Sequence, residues 1–201
     1  MDLIIRNANL PDGRIGIDIG IKDEKIVALE VALTAKAQKE IDASGYLVSP
    51  PFVDAHFHMD ATLSLGLPRL NQSGTLLEGI ALWGELKPHL TVEAIKERAL
   101  RYCDLAVARG LLAIRSHVDI CDPRLLAVDA LLEVKKEVAP YLDLQLVAFP
   151  QDGYFRTPEV AKLLENALDR GVDVVGGLSL IHISEPTRPL YISYAVFWLK
   201  K

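Results

Sequence analysis

The sequence predicts an α/β fold built on a parallel sheet. Apolar strand segments begin near residues 111, 143 and 172, and capped helical segments lie between them. Strands that alternate with helices at this spacing are typical of βαβ units, whose strands pair in parallel. No glycine-rich phosphate-binding motif follows these strands, which disfavours a doubly wound nucleotide-binding sheet. An incomplete (β/α)8 barrel of about four βα units is therefore the favoured fold.

A small β region is predicted before the βαβ units, over residues 1–49. Residues 3–5 form a first apolar run, and residues 15–21 alternate isoleucine with glycine or aspartate. This period of two marks a half-buried strand. A third apolar run, at residues 26–29, follows the turn residues Asp23 and Glu24. The pattern predicts a β meander, and a sheet this small seldom folds without a partner surface.

Residues 50–177 are predicted to form the βα units. The predicted strands span residues 52–58, 111–118, 144–149 and 172–175. One helix is predicted from 76 to 87, ending at Pro88, and Pro123 and Pro158 suit first helical positions. The predicted N-caps are Thr91, Asp122 and Thr157. Gly110 and Gly171 are predicted to end helices.

The composition excludes several classes of protein. Half of the 201 residues are hydrophobic and 24% are charged, so the chain can bury a large core. The net charge of −5 and the lack of a basic run disfavour nucleic-acid binding. Cys103 and Cys121 form no CxxC motif, residues 1–6 do not resemble a signal peptide, and the apolar run at 190–199 is too short to span a membrane. These features predict a cytoplasmic protein with no membrane partner.

Polar residues gather where three of the predicted strands end. In chain order they are His56, His58 and Asp60, then His117 and Asp119, then Gln151 and Asp152. Catalytic residues of a (β/α)8 barrel lie at the C-terminal ends of its strands. The sequence therefore predicts an active site at this edge of the sheet.

The spacing of His56 and His58 predicts metal binding. Residues i and i+2 of a strand point to the same face, so the two imidazoles project together. Neutral imidazole nitrogens are good ligands for a divalent cation. A bound metal lowers the pKa of its water toward about 7, and the hydroxide could attack a carbon that bears an exocyclic amine or a ring amide. Catalytic zinc usually has three protein ligands, so further ligands are required.

Two more residues are candidates for substrate binding. His117 ends a strand and could bind metal or orient substrate, and a satisfied core histidine is the alternative. Gln151 offers both a donor and an acceptor, as a residue that recognises an amide would, and a plain loop glutamine is the alternative. Of the remaining candidates, His89 is predicted to lie at the surface and Asp54 to be structural. Cys103 is predicted to pack within a helix, and Cys121 to be an ordinary loop thiol.

Several segments resemble cytosine deaminases of the metal-dependent amidohydrolase superfamily. They are residues 50–60 (PPFVDAHFHMD), 71–80 (NQSGTLLEGI), 115–119 (RSHVD), 132–140 (LEVKKEVAP) and 143–153 (DLQLVAFPQDG). The resemblance covers roughly residues 1–177. It implies a TIM barrel, here incomplete, preceded by a small β-sandwich portion.

The resemblance implies a hydrolase that acts on the carbon–nitrogen bond of a cyclic amidine and releases ammonia. It implies one divalent ion, Fe²⁺ or Zn²⁺, with His56 and His58 as the first two ligands and Gln151 on the pyrimidine edge. A fifth-strand histidine, an eighth-strand aspartate and the proton-shuttling residues of the family have no counterpart here. Binuclear relatives use a fourth-strand lysine, which residues 172–177 lack, so a one-metal site is expected.

Two departures from the family pattern leave the substrate open. Residues 54–55 read Asp-Ala where cytosine deaminases often carry Glu-Pro, and residues 153–156 (GYFR) are less familiar. Relatives act on isocytosine, creatinine-like rings and triazine amides, which remain alternatives. The resemblance implies a small-molecule substrate and a homo-oligomer of full-length subunits.

The family pattern ends after Gly177. Residues 178–201 resemble a translation of sequencing-adapter DNA and show neither helix nor strand period, so they are predicted to be a non-native tail. Because a half barrel has unpaired strand edges and an incomplete metal shell, we expect a poorly folded, inactive fragment of an enzyme. The competing hypothesis is a short protein that binds a ligand or a partner without catalysis.

Overall fold

The computed structural model describes residues 1–155 and 158–177. The chain divides into two compact units, Met1–Pro51 and a second that begins at Phe52. The first unit contains β1 (Leu3–Ala8), β2 (Ile17–Lys22), β3 (Lys25–Val31) and β4 (Lys39–Asp42). The second contains β5 (Phe52–Phe57), α1 (Leu76–Leu86), α2 (Val92–Val107), β6 (Leu111–Asp119), α3 (Leu126–Val138), β7 (Asp143–Phe149), α4 (Val160–Arg170) and β8 (Val174–Val175). Short 3-10 helices span Met59–Ala61 and Lys87–His89.

The first unit is a four-stranded sheet with the strand order β3-β2-β1-β4. β1, β2 and β3 pair antiparallel, as the predicted meander requires, and β4 pairs parallel to β1. β4 was not predicted from the sequence, because its residues are all exposed and mostly charged and show no apolar alternation. Ala8, Ile19 and Ala43 form a small buried core in this unit.

A buried carboxylate joins the strands of this unit. Asp18 is 4% exposed, and its Oδ2 accepts hydrogen bonds from Arg6 Nη1 at 2.8 Å and from the Leu33 N–H at 3.0 Å. Its Oδ1 accepts from the Asn7 N–H at 2.9 Å. Burial raises the pKa of Asp18, but the hydrogen bonds from Asn7, Arg6 and Leu33 outweigh it and hold the pKa below its usual value.

The second unit contains a parallel sheet with the order β5-β6-β7-β8, which confirms the α/β class and its four strands. No closed barrel forms within residues 1–155 and 158–177. The helices pack on the sheet around fully buried aliphatic side chains such as Ile95, Val118, Leu131 and Leu146. None of the helices in this part of the chain is long and apolar enough to cross a membrane.

Helix ends follow the sequence in some places and differ in others. The hydroxyl of Thr91 accepts a hydrogen bond from the Ala94 N–H and caps α2, as predicted. Gly171 ends α4 with a φ of +113°, a left-handed conformation that suits glycine. The helix before Pro88 stops at Leu86 as an α-helix, and the proline lies in the 3-10 helix that follows.

The predicted starts of α3 and α4 are wrong. α3 begins at Leu126, because Asp122 accepts a hydrogen bond from the Arg124 N–H at 3.0 Å and forms a tight turn before the helix. α4 begins at Val160, after Glu159 in the left-handed region, rather than at Pro158. The predicted cap Thr157 and the predicted tail, residues 178–201, lie outside the described residues.

We predict that Asp18 makes the first unit sensitive to acid. Its folded pKa lies below the unfolded value of about 3.9, so its contribution is complete above that value and is lost as the pH falls through the folded pKa. Asp18→Asn should lower the free energy of unfolding at neutral pH and flatten its decline in acid, measured by urea unfolding across the acidic range. Asp23→Asn, at an exposed turn, is the control. An unchanged acid dependence in Asp18→Asn would contradict this role.

Candidate active site

Three histidines come together at the C-terminal ends of β5 and β6. The ring centroids of His56 and His58 are 5.2 Å apart. His117 lies 4.0 Å from His56 and 5.7 Å from His58, measured between ring centroids. The parallel pairing of the two strands therefore places the predicted metal ligands beside the predicted substrate-binding histidine.

β5 carries an irregularity at the position of His56. Between the pairs Asp54↔Ile114 and Phe57↔Ser116, β5 advances three residues while β6 advances two, so β5 carries one extra residue. The His56 N–H donates to Asp54 Oδ1 at 3.0 Å. Asp54 therefore has a structural role at the bulge, as the sequence analysis expected.

The environment of the three imidazoles favours their neutral form. Burial lowers the pKa of His56 and His58, and His56 lowers the pKa of His58 further. Burial, together with the other two histidines, lowers the pKa of His117 to about 4. Neutral imidazoles are the form that binds a metal ion.

The donor set fits a divalent metal in part. His56 and His58 offer two imidazoles from positions i and i+2 at the end of one strand. Within residues 1–155 and 158–177, no group of three or more His, Cys, Asp or Glu side chains is arranged to hold a metal ion. The described residues thus supply two ligands of the expected type and not a complete site.

Two buried aspartates join the ends of the same strands. Asp60 is 1% exposed, and its Oδ2 accepts a hydrogen bond from the Asp119 N–H at 2.8 Å. Burial raises the pKa of Asp60 to about 7, and the nearby charge of Asp119 acts in the same direction. Arg98 donates to the backbone oxygens of Asp60 and Thr62 at 3.1 and 3.0 Å, which fixes the turn after His58.

Asp119 is the centre of a second set of contacts that the sequence analysis did not find. Its Oδ2 accepts from Trp83 Nε1 at 2.7 Å and lies 2.9 Å from Lys87 Nζ. Lys87 Nζ also lies 2.7 Å from Asp152 Oδ2. Trp83 and Lys87 are far from Asp119 along the chain, so no local motif could reveal the contact. It fixes the C-terminal end of α1 against the strand ends.

Gln151 lines a cavity of about 390 Å³ at these strand ends, together with His58, Asp60, Asp119 and Trp83. The Gln151 Oε1 atom is buried and accepts no hydrogen bond from the described part of the chain. A buried carbonyl oxygen of this kind is available to a donor on a ligand. The structure therefore brings Gln151 and His58 to one cavity.

Other sequence candidates lie away from the site or have structural roles. His89 is exposed, as expected. Cys103 is fully buried in the core of the second unit, and burial raises its pKa to about 11, so this thiol is inert at neutral pH. Cys121 Sγ accepts a hydrogen bond from the Asp152 N–H at 3.3 Å.

The profile of the amidohydrolase family matches residues 39–191. Because the match covers most of the 201 residues, the chain belongs to the amidohydrolase family. Members of this family are metal-dependent hydrolases that act on carbon–nitrogen bonds. The match extends past Gly177 into the segment that was predicted to be a non-native tail.

Individual relatives confirm the resemblance to cytosine deaminases. 5-Methylcytosine deaminase from Klebsiella pneumoniae, solved with phosphonocytosine, is 42% identical with a TM-score of 0.80, over 87% of this chain and 43% of that chain. N-isopropylammelide isopropylaminohydrolase from Burkholderia multivorans is 27% identical with a TM-score of 0.72, over 88% and 45% of the two chains.

A curated relative supports the same family assignment. N-isopropylammelide isopropyl amidohydrolase of Pseudomonas sp. (strain ADP) is 40% identical over 182 residues, which are 88% of this chain and 45% of the relative. The chain thus spans about half the length of these relatives.

We predict that Asp119 stabilises the second unit. Asp119→Asn breaks a buried ion pair with Lys87 and should lower the free energy of unfolding by about 3 kcal/mol. Asp152→Asn removes an exposed partner of the same lysine and should cost less than about 1 kcal/mol. Urea unfolding followed by Trp83 fluorescence, with Trp198→Phe as background, measures both changes. Equal effects of the two substitutions would contradict a special role for Asp119.

Proposed function

We propose that a protein containing this chain is a metal-dependent hydrolase that deaminates cytosine or a closely related N-heterocycle. The observation that carries the proposal is the grouping of His56 and His58 at the same strand ends as Gln151. The 42% identity to a 5-methylcytosine deaminase supports the substrate class.

His56 and His58 would hold one ion, either iron or zinc. When bound, a metal of this kind supplies hydroxide at neutral pH for attack on the ring carbon that bears the amine. The lowered pKa values of the two imidazoles keep one nitrogen of each ring unprotonated and available to a metal near pH 7. The further ligands that the resemblance implies do not come from the described residues.

The chain's own polar residues would orient the substrate. Gln151 Oε1 can accept a hydrogen bond from a ring N–H or an exocyclic amine, and its Nε2 can donate to a ring carbonyl or ring nitrogen. His117, buried beside His56, would contact the ring or position His56. Because Asp119 holds Trp83, one wall of the cavity is fixed before the substrate enters.

A second substrate class is supported by a specific comparison. The 40% identity to an N-isopropylammelide isopropyl amidohydrolase favours a triazine as an alternative to cytosine. Both reactions break an exocyclic carbon–nitrogen bond of a planar N-heterocycle by hydrolysis. The same two histidines and Gln151 would serve either ring.

The activity can be tested with the longer reading frame recovered from genomic DNA that contains residues 1–177. We expect ammonia release from cytosine or 5-methylcytosine, or amine release from N-isopropylammelide, and loss of turnover when Gln151 is changed to alanine. The 201-residue chain alone should be inactive, because its described residues provide no group of three metal ligands. No turnover of any of these rings by the longer protein would contradict the proposal, whereas turnover by the 201-residue chain would show only that its metal site is complete.

We predict that His56 and His58 bind metal directly in the 201-residue chain. A titration with Zn²⁺, followed by calorimetry, should show at least a roughly tenfold weaker affinity for either His56→Ala or His58→Ala. His89→Ala, at an exposed histidine outside the site, should bind as the unchanged chain does. If both strand-end variants keep the original affinity, these histidines are not the ligands.

A further inference from the structure

His58 lies just past the end of the backbone pairing between β5 and β6. The last Cα pair of the two strands joins Phe57 to Ser116, and β5 ends at Phe57. β6 continues past this pair through residues 117–119. The ladder of backbone pairs therefore ends before His58, although His56 lies within β5.

The first N–H group after His58 is bonded by a side chain of the neighbouring strand. His58 precedes the 3-10 helix Met59–Ala61, and its own side chain makes no capping hydrogen bond. N–H groups in the first turn of a helix have no partner within that helix. Ser116 Oγ accepts a hydrogen bond from the Met59 N–H at 3.0 Å, and both residues are fully buried. The Ser116 hydroxyl thus serves as the cap and ties the residue after His58 to β6.

A second hydrogen bond joins the same two segments in the opposite direction. The Asp119 N–H, which lies beyond the last pair of β6 with β5, donates to Asp60 Oδ2 at 2.8 Å. The two residues that follow His58 are therefore each bonded to β6, one through a serine of that strand and one through its own carboxylate. These two bonds continue the link between the strands where the backbone ladder stops.

We propose that Ser116 is a positioning residue whose hydroxyl holds His58 beside His117 and thereby strengthens metal binding by His58. The effect on metal rests on the proposed function, whereas the position of the imidazole does not. Without the hydroxyl, the buried Met59 N–H would lose its acceptor, so the turn would have to move to find another partner. His58 precedes Met59 directly and would move with the turn.

The position of His58 can be measured in the metal-free 201-residue chain by NMR. The ring of Phe149 lies 5.7 Å from that of His58 and 5.3 Å from that of His117, measured between centroids. Ser116→Ala should weaken the nuclear Overhauser effect between His58 and Phe149. The effect between His117 and Phe149 should stay unchanged, because β6 and β7 remain paired. Ser116→Thr keeps the hydroxyl and should preserve both effects.

The consequence for metal binding is measured by calorimetric titration of the same variants with Zn²⁺. Ser116→Ala should bind at least about tenfold more weakly, as is usual when a group that orients a metal ligand is lost. Ser116→Thr should bind as the unchanged chain does. Val138→Ala is the control, because it removes fully buried core volume at the end of α3 that precedes β7. It should lower the stability and leave the Zn²⁺ affinity of the folded chain unchanged.

The two measurements separate this inference from the proposed function. An unchanged contact between His58 and Phe149 in Ser116→Ala, or equal weakening of both ring contacts, would overturn the positioning role. An affinity loss in Val138→Ala as large as that in Ser116→Ala would overturn it as well. If the unchanged chain binds no Zn²⁺, the metal role of His56 and His58 fails, and the NMR comparison still decides whether Ser116 positions His58.

Discussion

Parallel hydrogen bonding between β5, β6 and β7 fixes the relative positions of the histidines at the candidate site. The register pairs Phe57 with Ser116 and His117 with Val147, so the C-terminal segments of the three strands lie side by side. Histidines separated by about sixty residues in the chain therefore lie within 4.0–5.7 Å, measured between ring centroids. Ser116 Oγ, in β6, also accepts a hydrogen bond from the Met59 N–H, two residues after the end of β5. This contact continues the hydrogen bonding between the two segments past the last strand pair.

Polar groups buried at the C-terminal edge of the parallel sheet require hydrogen-bond or ion-pair partners, and some of these partners also line the cavity. Asp119 is 3% exposed and would be costly to bury alone, but Trp83, Lys87 and the Cys121 N–H all contact its carboxylate. The same contacts fix α1 beside the strand ends. The contacts that stabilise the buried carboxylate of Asp119 thus also fix one wall of the cavity at the strand ends.

Local sequence patterns predicted the parts of the fold that depend on interactions between residues close together in the chain. Apolar runs located β6 and β7 to within one residue at each end, and Thr91 and Gly171 marked helix ends through their own backbone and side-chain chemistry. β4 escaped detection because parallel pairing with β1 stabilises a charged, exposed segment. Asp122 and Pro123 suited a helix start, yet the chain uses them in a turn, since Asp122 binds the Arg124 N–H.

The sequence by itself determined the α/β class, the amidohydrolase resemblance and the identity of the polar residues at the strand ends, because each is written in a contiguous segment. Tertiary structure alone decided that His117 contacts His56, that Asp60 and Asp119 share a hydrogen bond, and that Trp83 and Lys87 belong to the site. Such contacts join residues far apart in the chain, and only the register of a parallel sheet and the packing of helices against it bring them within bonding distance.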